Sequence, residues 1–214
     1  MIDVVIAWNP RTTDPWRCRS REFVLSMWES YGYTVIWGLD DSEPFNISKA
    51  KNNGVRQASS SKVVIADADV VISKQQVEEA LAKEHWVIPY ETYFNLTQAH
   101  TKEFLDGVRE LGDCQWDHRI LSWAGMMVVE RQAYWDVGGH DENFSGWGWE
   151  DVALRLALDN LYFQHERVAG GIYHLWHPVS EVETFGSDDC ARNKALFKKE
   201  YKDRYNWRDE RLKW

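Results

Sequence analysis

Lys62-Val63-Val64-Ile65-Ala66-Asp67-Ala68-Asp69 is the stretch from which the fold of this 214-residue chain is read. An apolar, β-branched run without polar alternation reads as a strand buried on both faces. It breaks directly into two carboxylates spaced two apart. Upstream, residues 2–8 are a short apolar run closed by Asn9-Pro10, and residues 19–31 have helical spacing at Phe23, Met27 and Trp28. Residues 33–38 are β-rich and stop at Asp40-Asp41-Ser42, and residues 47–59 read as a helix. Downstream, residues 75–83 predict a helix and 85–90 a strand. Strands that alternate with helices imply an α/β/α sandwich around a mostly parallel central sheet, with right-handed crossovers. Ligands of such sheets bind beyond the carboxyl ends of the strands. Residues 9–11, 40–41 and 67–69 all fall at those ends.

The second half is less regular. A helix is expected at 101–111, a strand at 126–130 and a short helix at 131–137. Then comes Gly138-Gly139-His140-Asp141-Glu142-Asn143-Phe144-Ser145-Gly146-Trp147-Gly148-Trp149-Glu150-Asp151, which runs into a helix ending at Asn160. Two short strands then lead to Tyr173-His174-Leu175-Trp176-His177-Pro178. No repeat, low-complexity tract or linker interrupts the chain. It parses as one domain over 1–190, with a nucleotide-binding half (1–90) and an acceptor half (91–190), followed by a basic aromatic tail (191–214).

Each motif carries its own chemistry. A turn past a strand can aim Asp67 and Asp69 at one cation, and Mg²⁺ or Mn²⁺ bridges such carboxylates to a diphosphate. The spacing of His174 and His177 can present one imidazole to that metal and keep the other behind it. Imidazole among oxygen ligands tilts the choice toward Mn²⁺. Glycines let the 138–149 segment hinge, and its tryptophans offer flat apolar faces with one N–H each. Adjacent acids at a helix start are favoured by the macrodipole, by about 0.3–1 kcal/mol. They can also serve as a general base and its orienting partner. A mobile aromatic loop ending in carboxylates suits closure over a polyhydroxylated substrate.

Composition bounds the remainder. Hydrophobic content of 44% and charged content of 28% are globular values, and no stretch reaches the roughly 18 apolar residues a membrane span needs. The first residues lack a basic signal region, and three widely spaced cysteines (Cys18, Cys114, Cys190) exclude a disulfide framework. Both point to a reducing cytoplasm. A net charge of −9 argues against a general nucleic-acid binder. Residues 191–214 nevertheless hold nine Lys/Arg against four Asp/Glu, among them Lys198, Lys199, Lys202, Arg204, Arg208 and Arg211, with Tyr205 and Trp207 between. Such a tail reads as a solvated helix that could meet an anionic acceptor or a membrane surface.

The order of strand, DxD, Gly/Trp acidic loop before a helix, and HxxH resembles metal-dependent GT-A glycosyltransferases. It resembles above all the β-1,4-galactosyltransferases and the polypeptide N-acetylgalactosaminyltransferases. Gly146-Trp147-Gly148-Trp149-Glu150-Asp151 is similar to their Gly-Trp-Gly-Gly-Glu-Asp signature, and residues 45–54 are similar to the helix before their DxD strand. The resemblance implies a UDP-sugar donor, with Mn²⁺ or Mg²⁺ held by Asp69, His177, Asp67 and His174. It implies Asp151 as catalytic base, with Glu150 binding hydroxyls. Arg11, Asp40, Lys51, Asp67, Gly125 and Trp147 are the expected donor-binding residues. The expected activity is transfer of a hexose or N-acetylhexosamine to a glycan, protein or modified-nucleobase hydroxyl, with inversion.

Trp149 departs from the signature's second glycine, and Val152 stands where a further carboxylate is found. No stem or anchor is evident, which reads as a minimal bacterial or viral member. Two rivals stand beside this reading. A nucleotidyltransferase would use the same carboxylates, but residues 9–13 contain no glycine for a phosphate loop. A non-catalytic sugar-binding module would explain the 13 tryptophans but not a DxD at a strand end.

Overall fold

The computed structural model describes residues 2–120, 122–179, 184, 186–202 and 204–205. Its first half follows the expected alternation: β1 (Asp3–Trp8), α1 (Pro15–Tyr31), β2 (Thr34–Leu39), α2 (Ile47–Gln57) and β3 (Lys62–Ala66). A two-residue strand, β4 (Val70–Val71), follows the DxD turn, and then come α3 (Lys74–Ala82) and β5 (Val87–Ile88). α1 starts earlier than its apolar spacing predicts. Asp14 caps it by accepting from the Arg17 N–H at 2.9 Å, and Pro15, which has no N–H to lose, opens the first turn.

The second half holds β6 (Thr92–Leu96), α4 (Gln98–Leu105), a 3₁₀ turn at 111–113, β7 (Trp116–Ile120), β8 (Met126–Glu130) and α5 (Arg131–Asp136). After the Gly/Trp loop come α6 (Glu150–Leu161), β9 (Glu166–Arg167), β10 (Gly171–His174) and α7 (Asp188–Phe197), with a π-helical turn at 198–202.

The central sheet has the order β2-β1-β3-β8-β5-β9. Only β8 runs against its neighbours, so the sheet is mostly parallel. β1, β3 and β8 are buried along nearly their whole length, as their continuous apolar runs require. Since β8 lies between β3 and β5, the two expected halves share one sheet.

A second sheet, β4-β10-β6-β7, was not foreseen. It contains a two-residue strand and the polar strand Trp116–Ile120, neither of which gives an apolar run to read. The expected helix at 101–111 ends at Leu105; residues 106–109 are turns and bends, and the 3₁₀ turn starts at Leu111.

α2 packs unusually close to the central sheet. A Cβ on Gly38 of β2 would lie 2.0 Å from the Ala50 carbonyl oxygen, and one on Gly54 of α2 would lie 2.3 Å from the Val5 side chain. That approach buries the polar residues Ser48, Lys51 and Asn52 of α2 beneath the site.

The division expected at residue 190 falls inside α7, whose Phe197 is buried with Phe144, Ala153 and Leu156. The start of the basic segment is therefore part of the body. Trp207, Arg208 and Arg211 lie outside the described residues. Among the described residues no helix is long and apolar enough to cross a membrane.

Candidate active site

Backbone pairing brings the DxD turn and the HxxH segment together. β3 and β8 pair with Ala66 opposite Met126, and the ladder continues as the Asp67 N–H donates to the Gly125 carbonyl at 2.9 Å. β4 and β10 pair with Val70 opposite His174, and the Leu175 N–H donates to the Asp69 carbonyl at 2.8 Å. Asp69 Oδ2 then lies 3.6 Å from His174 Nε2 and 3.3 Å from His177 Nε2.

One ligand atom from each of these three residues falls within 4.8 Å of the others. Burial opposes the Asp69 charge, but the two imidazoles outweigh it and hold the carboxyl far below the usual range. Burial also opposes the charge on His177, and Asp69 overrides it, so that pKa rises. One carboxylate and two imidazoles suit Mn²⁺ better than Mg²⁺. Asp67, expected as a further ligand, is not in this group; its Oδ1 faces Lys51 at 3.5 Å.

The carboxylate pair sits in the first turn of α6. Both contacts of Asp151 fall on Oδ1: Lys51 Nζ at 2.9 Å and His140 Nε2 at 3.2 Å. Oδ2 has no hydrogen bond to any described residue. Burial works against the Asp151 charge, and Lys51, followed by His140, overcomes it, leaving the carboxyl well below its ordinary range. Burial and the neighbouring Asp151 charge push Glu150 the other way, to about 8. Burial also raises Asp67, to about 6, against the opposing pull of Lys51. Adjacent carboxyls thus differ in protonation at neutral pH, the condition under which one accepts a proton while the other donates a hydrogen bond.

The Gly/Trp loop is held at both ends. On the α2 side, Asn46 donates to the Glu142 carbonyl at 2.8 Å, and Asn52 donates to the His140 carbonyl and to Glu142 Oε1, each at 2.8 Å. On the α7 side, the buried Asn193 amide donates to the carbonyls of Ser145, Trp147 and Gly148 at 3.1, 3.2 and 3.0 Å. Trp149, which replaces the signature glycine, adopts φ +78°, a conformation glycine takes without strain. Its ring packs on Phe197 at 4.9 Å between centroids and lies 5.6 Å from Lys194 Nζ.

These elements enclose a cleft of about 900 Å³, into which Asp67, Asp69, Glu150, Asp151, His174, His177 and Trp147 all face. Four expected donor-binding residues are placed elsewhere. Arg11 is half-exposed and paired with Glu43 at 2.7 Å, whereas its neighbours Asn9, Thr12 and Thr13 line the cleft. Asp40 is buried beneath the cleft, with its oxygens engaged by Lys49 at 2.9 Å and by the Asn46 N–H at 3.0 Å. Lys51 lies under the cleft floor rather than in it. Gly125 has φ +87°, and a Cβ there would strike the Tyr93 ring at 2.7 Å, so its glycine makes room for Tyr93.

The sequence reading missed Arg17, Tyr93, His140 and Asn193. Arg17 lines the cleft near His177, and the Asp14-Pro15 helix start would have placed it there.

Residues 113–178 match the family model described as the N-terminal domain of galactosyltransferase. The validoxylamine A glucosyltransferase of Streptomyces hygroscopicus subsp. jinggangensis is 26% identical over a match covering 53% of this chain and 35% of that protein. The chain thus spans about a third of the length of that curated relative. Among solved structures, GalNAc-T7 with UDP, GalNAc and Mn²⁺ superposes with a TM-score of 0.57 at 11% identity, covering 96% of this chain and 49% of that one. Glucosyl-3-phosphoglycerate synthase from Mycobacterium tuberculosis, with Mn²⁺, UDP and phosphoglyceric acid, gives 0.54 at 14%, covering 98% and 80%. The fold is the GT-A fold of these glycosyltransferases. The matched galactosyltransferase region runs from the 3₁₀ turn through the Gly/Trp loop to the HxxH.

Proposed function

We propose that the chain is a metal-dependent glycosyltransferase that moves a hexose or N-acetylhexosamine from a UDP-sugar to an acceptor hydroxyl. The observation that carries this reading is one cleft holding both the Asp69, His174 and His177 group and the free Oδ2 of Asp151. GT-A relatives with UDP and Mn²⁺ at hand support the donor assignment.

When bound to Asp69, His174 and His177, a divalent cation supplies positive charge for a departing diphosphate. Arg17, in the same cleft, adds a guanidinium suited to phosphate oxygens. Asp151 removes the acceptor proton through Oδ2 while the acceptor oxygen displaces UDP at C1, which inverts the anomeric centre. The neutral Glu150 donates a hydrogen bond to a sugar hydroxyl, and Trp147 offers an apolar face to the ring. Lys51 and His140 keep Asp151 ionised, which leaves Oδ2 able to take the proton as the acceptor oxygen attacks.

Calorimetric titration with UDP tests the donor site. Binding should depend on Mn²⁺ and disappear in Asp69→Ala. Asp151→Asn should bind UDP normally yet lose transfer by about 10²–10⁴-fold, the usual worth of a general base. Absence of uridine nucleotide binding under any metal would sink the proposal.

A further inference from the structure

His140 stands one residue past the paired glycines, fully buried, and has no role in the motif reading above. Its Nε2 is 3.2 Å from Asp151 Oδ1, and its Nδ1 is 2.8 Å from the Tyr134 hydroxyl. The Tyr134 hydroxyl also donates to Asn52 Oδ1 at 2.6 Å, and the same oxygen accepts the His140 backbone N–H at 3.0 Å. Asn52 Nδ2 closes the ring of contacts on the His140 carbonyl at 2.8 Å. His140 is therefore fixed through its N–H, its carbonyl and both ring nitrogens. A Cβ on Gly139 would meet Asn52 Oδ1 at 2.7 Å, so the glycine before it lets α2 come this close.

We propose that His140 is a positioning residue for the base: its Nε2–H holds Oδ1 of Asp151 and so presents Oδ2 to the acceptor hydroxyl. The inference rests on the reading of Asp151 given above.

The proton inventory fixes the tautomer. An ionised Asp151 only accepts, so Nε2 carries the hydrogen; in the neutral ring Nδ1 is then an acceptor and competes with Asn52 Oδ1 for the single Tyr134 proton. The groups facing the imidazole are Asp151, Lys51 and Tyr134. Burial keeps His140 neutral, its pKa pushed down to about 4. A neutral donor orients the carboxylate without adding a second full charge beside Lys51. Lys51 alone is a point charge with rotatable donors and sets no angle for the carboxylate, whereas a locked imidazole does. Misplacement of a reacting group by about 1 Å can cost about 10²-fold in rate.

The test uses UDP release from UDP-glucose and UDP-galactose with Mn²⁺ and water as acceptor, together with UDP affinity by calorimetry. His140→Phe should lower kcat roughly ten- to a hundredfold, with donor KM and UDP affinity unchanged. His140→Gln, which keeps a neutral N–H donor, should restore most of the rate. Nitrogen-15 shifts of the wild-type imidazole should report a neutral ring protonated at Nε2. Wild-type kcat in a UDP-binding His140→Phe protein, or an Nδ1-protonated ring, would overturn the inference. Failure of every protein, wild type included, to bind UDP would instead overturn the assignment of the site.

Discussion

Lys51 Nζ lies 2.9 Å from Asp151 Oδ1 although the two residues are 100 positions apart in the chain. The ammonium is 3% exposed and also faces Asp67 at 3.5 Å, so one buried cation ties the DxD turn to the acidic start of α6.

Removing that cation leaves buried carboxylates without compensation. Breaking a buried pair from one side typically costs about 3–5 kcal/mol. Lys51→Met should therefore be destabilised by about that amount at pH 8. The deficit should shrink at pH 5, because the orphaned Asp67 and Asp151 take raised pKa values and pick up protons. Urea unfolding at both pH values decides it, and an equal loss at the two would refute the account.

Glu150 gives a second pH dependence, with its sign fixed by linkage. The folded chain keeps this proton up to about pH 8, whereas an unfolded glutamate releases it near about 4.3. Between those values the native state binds more protons, so stability falls as pH rises, by at most about 1.4 kcal/mol per unit. Glu150→Gln has nothing to release there. Its stability relative to wild type should grow steadily from pH 5 to 8 in denaturant titrations. The opposite slope of His140 is common to both proteins and drops out of the difference. A pH-independent difference would show that Glu150 ionises freely in the fold.

Trp149 occupies a left-handed conformation that costs a non-glycine residue roughly 1–2 kcal/mol. The cost is offset by packing on Phe197 and Lys194. Trp149→Gly and Trp149→Ala should both be less stable than wild type. The glycine variant should be the more stable of the two by about 1 kcal/mol, the reverse of the order inside a helix. Thermal unfolding of the pair checks the ranking, and a more stable alanine variant would mean that the backbone had relaxed out of the left-handed region.

The elements that could be read in advance were those with strong periodicity. β1, β3 and β8 announce themselves as unbroken apolar runs, and α2 and α6 as spaced ones. The second sheet was invisible because its strands are short or polar and are stabilised by pairing with distant segments, which no local window contains. At the site, Asp69, His174 and His177 were legible because spacing and strand ends bring ligand types together. Arg11 and Asp40 were expected at the donor because both follow strand ends, yet the turn chemistry beyond a strand decides where such side chains go. Asp40-x-Ser42 folds its carboxylate back onto its own loop. Lys51 was placed on the ligand side because close helix-to-sheet packing depends on Gly38 and Gly54 acting together.

Asn193 gathers the carbonyls of Ser145, Trp147 and Gly148 from a helix encoded after every other part of the cleft. Asp69, His174 and His177 are all made by residue 177, but a domain folds as a unit, and α7 belongs to this one. The loop carrying Trp147 gains its clasp only when α7 follows. The site is thus all-or-none during synthesis: every ligand type is already made, yet the surface around the carboxylates waits for Asn193.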